Sequence, residues 1–228
     1  PADPAPAGTN IQLTDDDGDG LKEVVTAADG ALIDGNDDGI ADAEQTEVAG
    51  LRMINDGAES TDYGALETDP ALSFSAISFL SPTEPATDTT GTGSSPETYA
   101  VTTSDGQTQT TSIPSGIDNA FAGLLAFTVS GLSNGGSTST TISLPEGLNT
   151  LNTAQLAYLR FNYATNRFED FVDSAGTPLY SFKDSNNDGQ LDSVVLQLTD
   201  GDPTWDGDGI ANGSIIDPGF LAIGERKL

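Results

Sequence analysis

The residues best able to do chemistry in this chain are its aspartates, and three runs of them share one spacing. Asp15-Asp17-Asp19-Gly20-Glu23, Asp34-Asn36-Asp38-Gly39-Asp42 and Asp184-Asn186-Asp188-Gly189-Asp192 each follow D-x-[DN]-x-D-G-x-x-[DE]. In a tight loop of this kind, alternate side chains bring three oxygens together, and glycine at the sixth position allows the sharp turn. The seventh residue then offers its main-chain carbonyl, here Leu21, Ile40 or Gln190, and the ninth adds an oxygen directly or through water. An all-oxygen set suits calcium, which takes about six to eight such ligands. Multiplying the chain's own Asp, Asn and Gly frequencies predicts about 0.05 D-x-[DN]-x-D-G hexapeptides, against the three present. Asp/Gly turns that merely keep a protein soluble are therefore a poor account of the second and third runs. The first, with Asp15-Asp16-Asp17 in a row, also fits a solvated run of charge.

A fourth run is degenerate. Asp206, Asp208, Gly209, Ile210 and Asn212 occupy positions three to nine, but Thr204 stands where the first Asp belongs. Asp200 or Asp202, just upstream, could supply the missing carboxylate. No run completes an EF-hand, because the twelfth position holds Thr26, Gln45, Val195 or Ile215 in place of a bidentate Glu. Flanking helices are also missing for three of the four. Oxygens from elsewhere must complete the shells, with Asp29, Glu44 and Asp37 close to the first pair. The expectation is three or four calcium ions acting as structural staples rather than as sensors.

Composition narrows the alternatives. Acidic residues number 36 against 7 basic, a formal net charge of −29. That balance argues against nucleic acid, whose binding rests on Lys and Arg neutralising phosphates, and against anionic membrane surfaces. Of the 36 acids, 26 are Asp, the residue of turns and short-loop metal ligation rather than of helices. Cysteine and histidine are absent, which removes disulfides, zinc and thiolate sites and the commonest general base. The chain reads as no enzyme. Its close carboxylate pairs sit in cation-loop spacing rather than across a glycosidase cleft. The Asp202–Pro203 bond is a weak self-cleavage motif, since Asp3–Pro4, Asp69–Pro70 and Asp217–Pro218 are equally available. Nor does any apolar run approach the ~18 residues of a membrane span.

These loops need elements to hold them, and the elements read as strands. The hydrophobic share of 36% is more than a disordered acidic chain carries. Leu125, Phe127 and Val129 alternate with polar or small residues, as do Thr140, Ile142 and Leu144, and then Val194, Leu196 and Leu198. Leu159–Tyr163 and Arg167–Phe171 make an aromatic hairpin about Ala164-Thr165-Asn166. Leu72 and Phe74 share one face and Ile77 and Phe79 the other, so a bulge is expected near Ser75-Ala76. Residues 98–113 read as a Thr-rich hairpin about Asp105-Gly106, and residues 81–97 as an exposed loop. One helix is expected after Asp42, with Gln45 completing a near capping box and Val48 and Leu51 on one face. The fold class is thus all-β: an antiparallel β-sandwich with N- and C-terminal calcium loops and one short helix. Residues 1–10 read as a Pro/Ala linker, 11–53 as a calcium-loop segment, 54–222 as the sandwich and 223–228 as a tail.

The segment Asp34–Gln45 resembles the calcium segment preceding the bacterial choice-of-anchor U domain family. Phe127–Leu132, Thr141–Gly147 and the hairpin Tyr158–Phe171 are similar to the strand pattern of that family. So are Leu198-Thr199-Asp200-Gly201-Asp202, Asp208–Gly213 and Ile216-Asp217-Pro218-Gly219 at the end. The resemblance runs in order through most of residues 34–219. The Ser/Thr-rich stretch 81–115 and the Pro203-Thr204-Trp205 insertion depart from the pattern, and the insertion puts the fourth ligand set in doubt. The resemblance implies a secreted module of a large bacterial surface or adhesin-type protein, placed ahead of a cell-anchoring signal. The expected role is a calcium-rigidified stalk or spacer, with neighbouring domains of the same protein as partners and no membrane insertion. The alternative is a calcium-dependent carbohydrate- or surface-recognition module, binding cell-surface glycans or proteins through Tyr158, Tyr163, Phe168 and Trp205.

Overall fold

The computed structural model describes residues 13–14, 23–24, 30–52, 63–80, 98–102, 108–112, 114, 119–144, 156–185, 187, 189 and 191–223. In chain order the strands begin with β1 (Leu13–Thr14), β2 (Glu23–Val24), β3 (Val48–Arg52), β4 (Tyr63–Glu67) and β5 (Ser73–Leu80). There follow β6 (Thr98–Thr102), β7 (Thr108–Ser112), β8 (Asn119–Ser130), β9 (Ser137–Ser143) and β10 (Leu156–Asn162). The last are β11 (Arg167–Asp170), β12 (Tyr180–Lys183), β13 (Ser193–Thr199) and β14 (Ser214–Ile223). Two five-stranded sheets carry the fold, ordered β11-β10-β14-β8-β5 and β12-β13-β9-β4-β3, with antiparallel pairing throughout.

Period-two alternation dictates which side chains meet. Phe74, Phe127, Val129 and Tyr158 of the first sheet pack with Leu51, Leu66, Ile142, Val194 and Leu196 of the second in one buried cluster. The two sheets therefore share a single core, as in a sandwich. Opposite faces of the same strands make a second cluster. Leu159, Phe161, Phe168 and Phe220 turn outward from the first sheet and are covered by Tyr99 and Val101 of the β6–β7 hairpin.

The register of β5 on β8 shifts between Phe74 and Ala76, the bulge that the change of face required. The short helix is corrected. Only a three-residue 3-10 turn forms, Asp42–Glu44, and Val48–Leu51 continue as β3, paired with β4 from Val48↔Glu67 to Arg52↔Tyr63. Val48 and Leu51 are three apart, which suits a helix face, but Ala49 and Leu51 equally suit a strand face. The sheet ladder decides between them. Consequently the segment 11–53 contributes an edge strand, β3, to the second sheet.

Strand β14 lies between β10 and β8 although it contains Pro218, which has no N–H to donate. Its pairing with β10 runs from Leu156↔Ile223 to Arg160↔Gly219 and ends there, one residue short of the proline. No helix among the described residues is long and apolar enough to cross a membrane.

Candidate metal centres

The second and third acidic runs are closed by the same clasp. In the second, the Asp42 N–H donates to the Ile33 carbonyl at 2.9 Å; in the third, the Asp192 N–H donates to the Lys183 carbonyl at 2.8 Å. Each bond joins the ninth loop residue to the residue just before the first. In the first run the equivalent residues, Thr14 and Glu23, are register partners in the β1–β2 hairpin. There Asp15, Asp17, Asp19 and Leu21 lie outside the described residues, as do Asn186, Asp188 and Gln190 of the third.

Inside the clasp the second and third runs match at their fourth and sixth residues. The fourth residue is left-handed in both, Asp37 at φ 58° and Asn187 at φ 62°, and so is the sixth, Gly39 at 87° and Gly189 at 89°. Asp and Asn tolerate that region, and glycine enters it without cost to a side chain. The hydrogen bonds match as well. The Gly39 N–H donates to Asp34 Oδ2 at 2.9 Å, and the Gly189 N–H to Asp184 Oδ2 at 3.0 Å. The Gly35 N–H donates to both oxygens of Asp42 at 3.0 and 3.1 Å, and the Ser185 N–H to Asp192 Oδ2. One loop leads into a 3-10 turn and the other joins the hairpin β12–β13, so a shared environment does not explain the shared shape. The spacing of residue types does.

In the second loop Asp38 Oδ1 accepts from the Ile40 N–H at 2.8 Å, and Asn36 Oδ1 accepts from the Asp38 N–H at 3.4 Å. Gln45, the twelfth residue, reaches back across the loop: its Nε2 lies 3.5 Å from Asp38 Oδ1 and 3.4 Å from the Ile40 carbonyl oxygen. Sequence spacing gave Gln45 no part in the site, although the twelfth position of such a loop is where a closing ligand belongs. Glu44 and Asp37, the other candidates for completing the shell, are exposed. Burial, the Asp34 charge and the Asp38 charge push the Asp42 carboxyl up to about 7, against the pull of the Gly35 N–H. Among the described residues no three carboxylates converge on one point, because each is turned onto an amide of its own loop. A carboxylate has about four lone-pair sites, so one accepted N–H leaves others for a cation. The donors are all oxygens, the set that fits calcium or magnesium rather than zinc or copper.

The fourth run is built differently. Asp200 is buried and its carboxylate accepts from three N–H groups, those of Gly135 at 2.7 Å, Gly213 at 2.9 Å and Asn212 at 3.2 Å. Burial raises its pKa, but these bonds outweigh it and hold the group below the usual carboxylate range. Asp206, also buried, accepts from Gly201 at 2.8 Å and Ile216 at 3.1 Å, and burial lifts it above that range. Asp202 Oδ1 takes the Thr204 and Trp205 N–H groups. Asp208 Oδ1 accepts from Ile210 N–H at 2.8 Å, and Asn212 Nδ2 donates to Asp208 Oδ2 at 2.6 Å. Asp200 ties this loop to the Gly135 turn, Asp206 ties it to β14, and Asp202 and Asp208 bond within it.

The loops divide between two ends of the second sheet. The Leu144 N–H donates to the Asp192 carbonyl, and Gly35 packs against the Gly64 carbonyl so closely that any side chain there would collide. Since β4 pairs Leu66↔Ile142 and Glu67↔Thr141, Gly64 lies at the same end as Leu144. The second and third loops thus share one pole. The 200–213 loop meets Gly135 and Gly136 at the other end of β9.

The aromatic platform expected of a recognition module does not form. Tyr158, Phe168 and Trp205 are buried and Tyr163 is packed partly beneath the surface; Trp205 meets Phe171 edge-on at 5.4 Å. No family model, curated protein or solved structure matches the chain.

Proposed function

We propose that this chain is an extracellular calcium-binding structural module, a stalk or spacer of a bacterial surface protein. The observation that carries the reading is the match between the two loops at their described positions: the same clasp at residues 42 and 192, the same two left-handed residues and the same first-position carboxylate accepting the glycine N–H. Asp34, Asn36, Asp38, Asp42 and the Ile40 carbonyl would hold one ion, with Gln45 beside them. Asp184, Asn186, Asp188, Asp192 and the Gln190 carbonyl would hold another. The first run, whose flanking residues Thr14 and Glu23 are register partners, would hold a third through Asp15, Asp17, Asp19, Glu23 and the Leu21 carbonyl. Calcium bound there neutralises crowded carboxylates and fixes the ends of β3, β12 and β13. The surface location rests on the sequence resemblance alone.

Thermal melts of the chelator-stripped chain and of the chain in millimolar calcium test the proposal. A ligand at 100 times its dissociation constant adds about 2.7 kcal/mol per site. Two or three filled sites therefore raise the midpoint by roughly 10–30 °C in a chain of this size. Coincident midpoints would sink the reading.

A further inference from the structure

Arg160 is among the largest fully buried side chains. Its Nε lies 2.7 Å from Asp217 Oδ1, and neither group is exposed by more than 1%. The contact is close without being aligned as a hydrogen bond, so the charge on Asp217 is answered by proximity. Taking both ions out of water is costly, and such a pair persists where it does something a hydrophobic pair would not.

The position shows what that is. Beyond Arg160↔Gly219 the β10–β14 ladder stops at Pro218. There Arg160 Nη2 donates to the Ile216 carbonyl at 3.1 Å, supplying from a side chain the donor that the interrupted ladder lacks. That same carbonyl accepts from the Gly207 N–H at 3.1 Å, and the Ile216 N–H donates to Asp206 Oδ1 at 3.1 Å. One residue, Ile216, therefore joins the buried arginine to both Asp206 and Gly207 through its carbonyl and its N–H. A second route runs through rings: the guanidinium lies 5.0 Å from the Phe171 centroid, Trp205 abuts that ring, and Trp205 Nε1 donates to the Val172 carbonyl at 3.0 Å.

We propose that Arg160 is the positioning residue of the 200–213 loop, holding this pole assembled from within and without any cation, while the opposite pole is the cation-dependent one. The role of Arg160 needs no ion, and only its contrast with the opposite pole rests on the calcium reading. Trp205, the only tryptophan of the chain, reports on it directly.

The test is amide exchange and Trp205 emission in Arg160→Lys, each in chelator and in calcium. Lysine keeps a positive charge beside Asp217 but lacks the planar fork that reaches carboxylate and carbonyl from fixed positions. Amides of Gly201, Gly207 and Ile216 should exchange about tenfold faster or more, and Trp205 emission should shift to the red, equally with and without calcium. Amides of β9 and β13 should stay within about twofold. Should lysine prevent folding, the neutral pair Arg160→Met with Asp217→Asn, which leaves no buried charge, must show the same local loosening. Unchanged amides and emission in the variant that folds would overturn the proposal. So would loss of protection spread evenly over β9 and β13, or restoration by calcium.

Discussion

Asp42→Asn should change the sign of its effect when calcium is removed. The carboxyl is raised from 3.8 to about 7 by burial and by the charges of Asp34 and Asp38. A group whose folded pKa is raised contributes stability below its unfolded value and loses it as pH rises through the folded one. Without calcium, the wild-type chain should therefore lose stability between about pH 4 and pH 8. Three pKa units at 1.36 kcal/mol each put the ceiling of that loss at roughly 4 kcal/mol. Asparagine carries no charge to bury and keeps one oxygen for the Gly35 N–H, at a cost of about 1 kcal/mol for the weaker bond. In calcium-free buffer at pH 8 the variant should exceed the wild type by up to about 3 kcal/mol, or some 6–12 °C in midpoint. In saturating calcium the order should reverse, because the wild type gains a charged ligand that the variant lacks. Melts followed by circular dichroism from pH 4 to pH 8, with and without calcium, measure all of this. A variant less stable than wild type in both media at pH 8 would refute the carboxylate-crowding argument.

Other outcomes follow from the same geometry. Gly39→Ala forces a side chain into a left-handed residue with φ 87° and no steric neighbour, so backbone strain alone should cost about 1–2 kcal/mol in melts. Hydrogen exchange with and without calcium should show protection gained at residues 30–45 and 184–192 and little change around Phe127 or in 200–213. Even protection throughout would indicate folding on binding instead. Asp200→Ala leaves the buried Gly213 N–H unpartnered, at about 1–3 kcal/mol. Its destabilisation should be the same in chelator as in calcium, whereas recovery in calcium would restore this residue as a ligand.

Much of this was legible in the residues, and what was not has identifiable causes. Val129, Ile142 and Leu196 sit in strands of strict alternation buried on one side, so their pattern reports the fold directly. Strand β3 is not separable from a helix by pattern, since Val48, Ala49 and Leu51 fit both periods and only pairing with β4 decides. Strand β14 is hidden by Pro218 and Gly219, which argue against a central strand; a side chain four strands earlier in sequence, Arg160 of β10, donates to its Ile216 carbonyl. In the loops, spacing names Asp34, Asp38 and Asp42 but is silent on the clasp to Ile33, a main-chain bond. It also counts Asp200 and Asp206 as oxygens without revealing that main-chain amides already hold them.

Counting bound calcium tests the central claim most directly. Titration calorimetry on the chelator-stripped chain, read beside Asp38→Ala and Asp188→Ala, isolates the two matched loops. The account predicts that each variant stays folded in millimolar calcium and binds about one ion fewer than wild type, with both losses adding in the double variant. Wild type that takes up no calcium, or variants with unchanged stoichiometry, would contradict it.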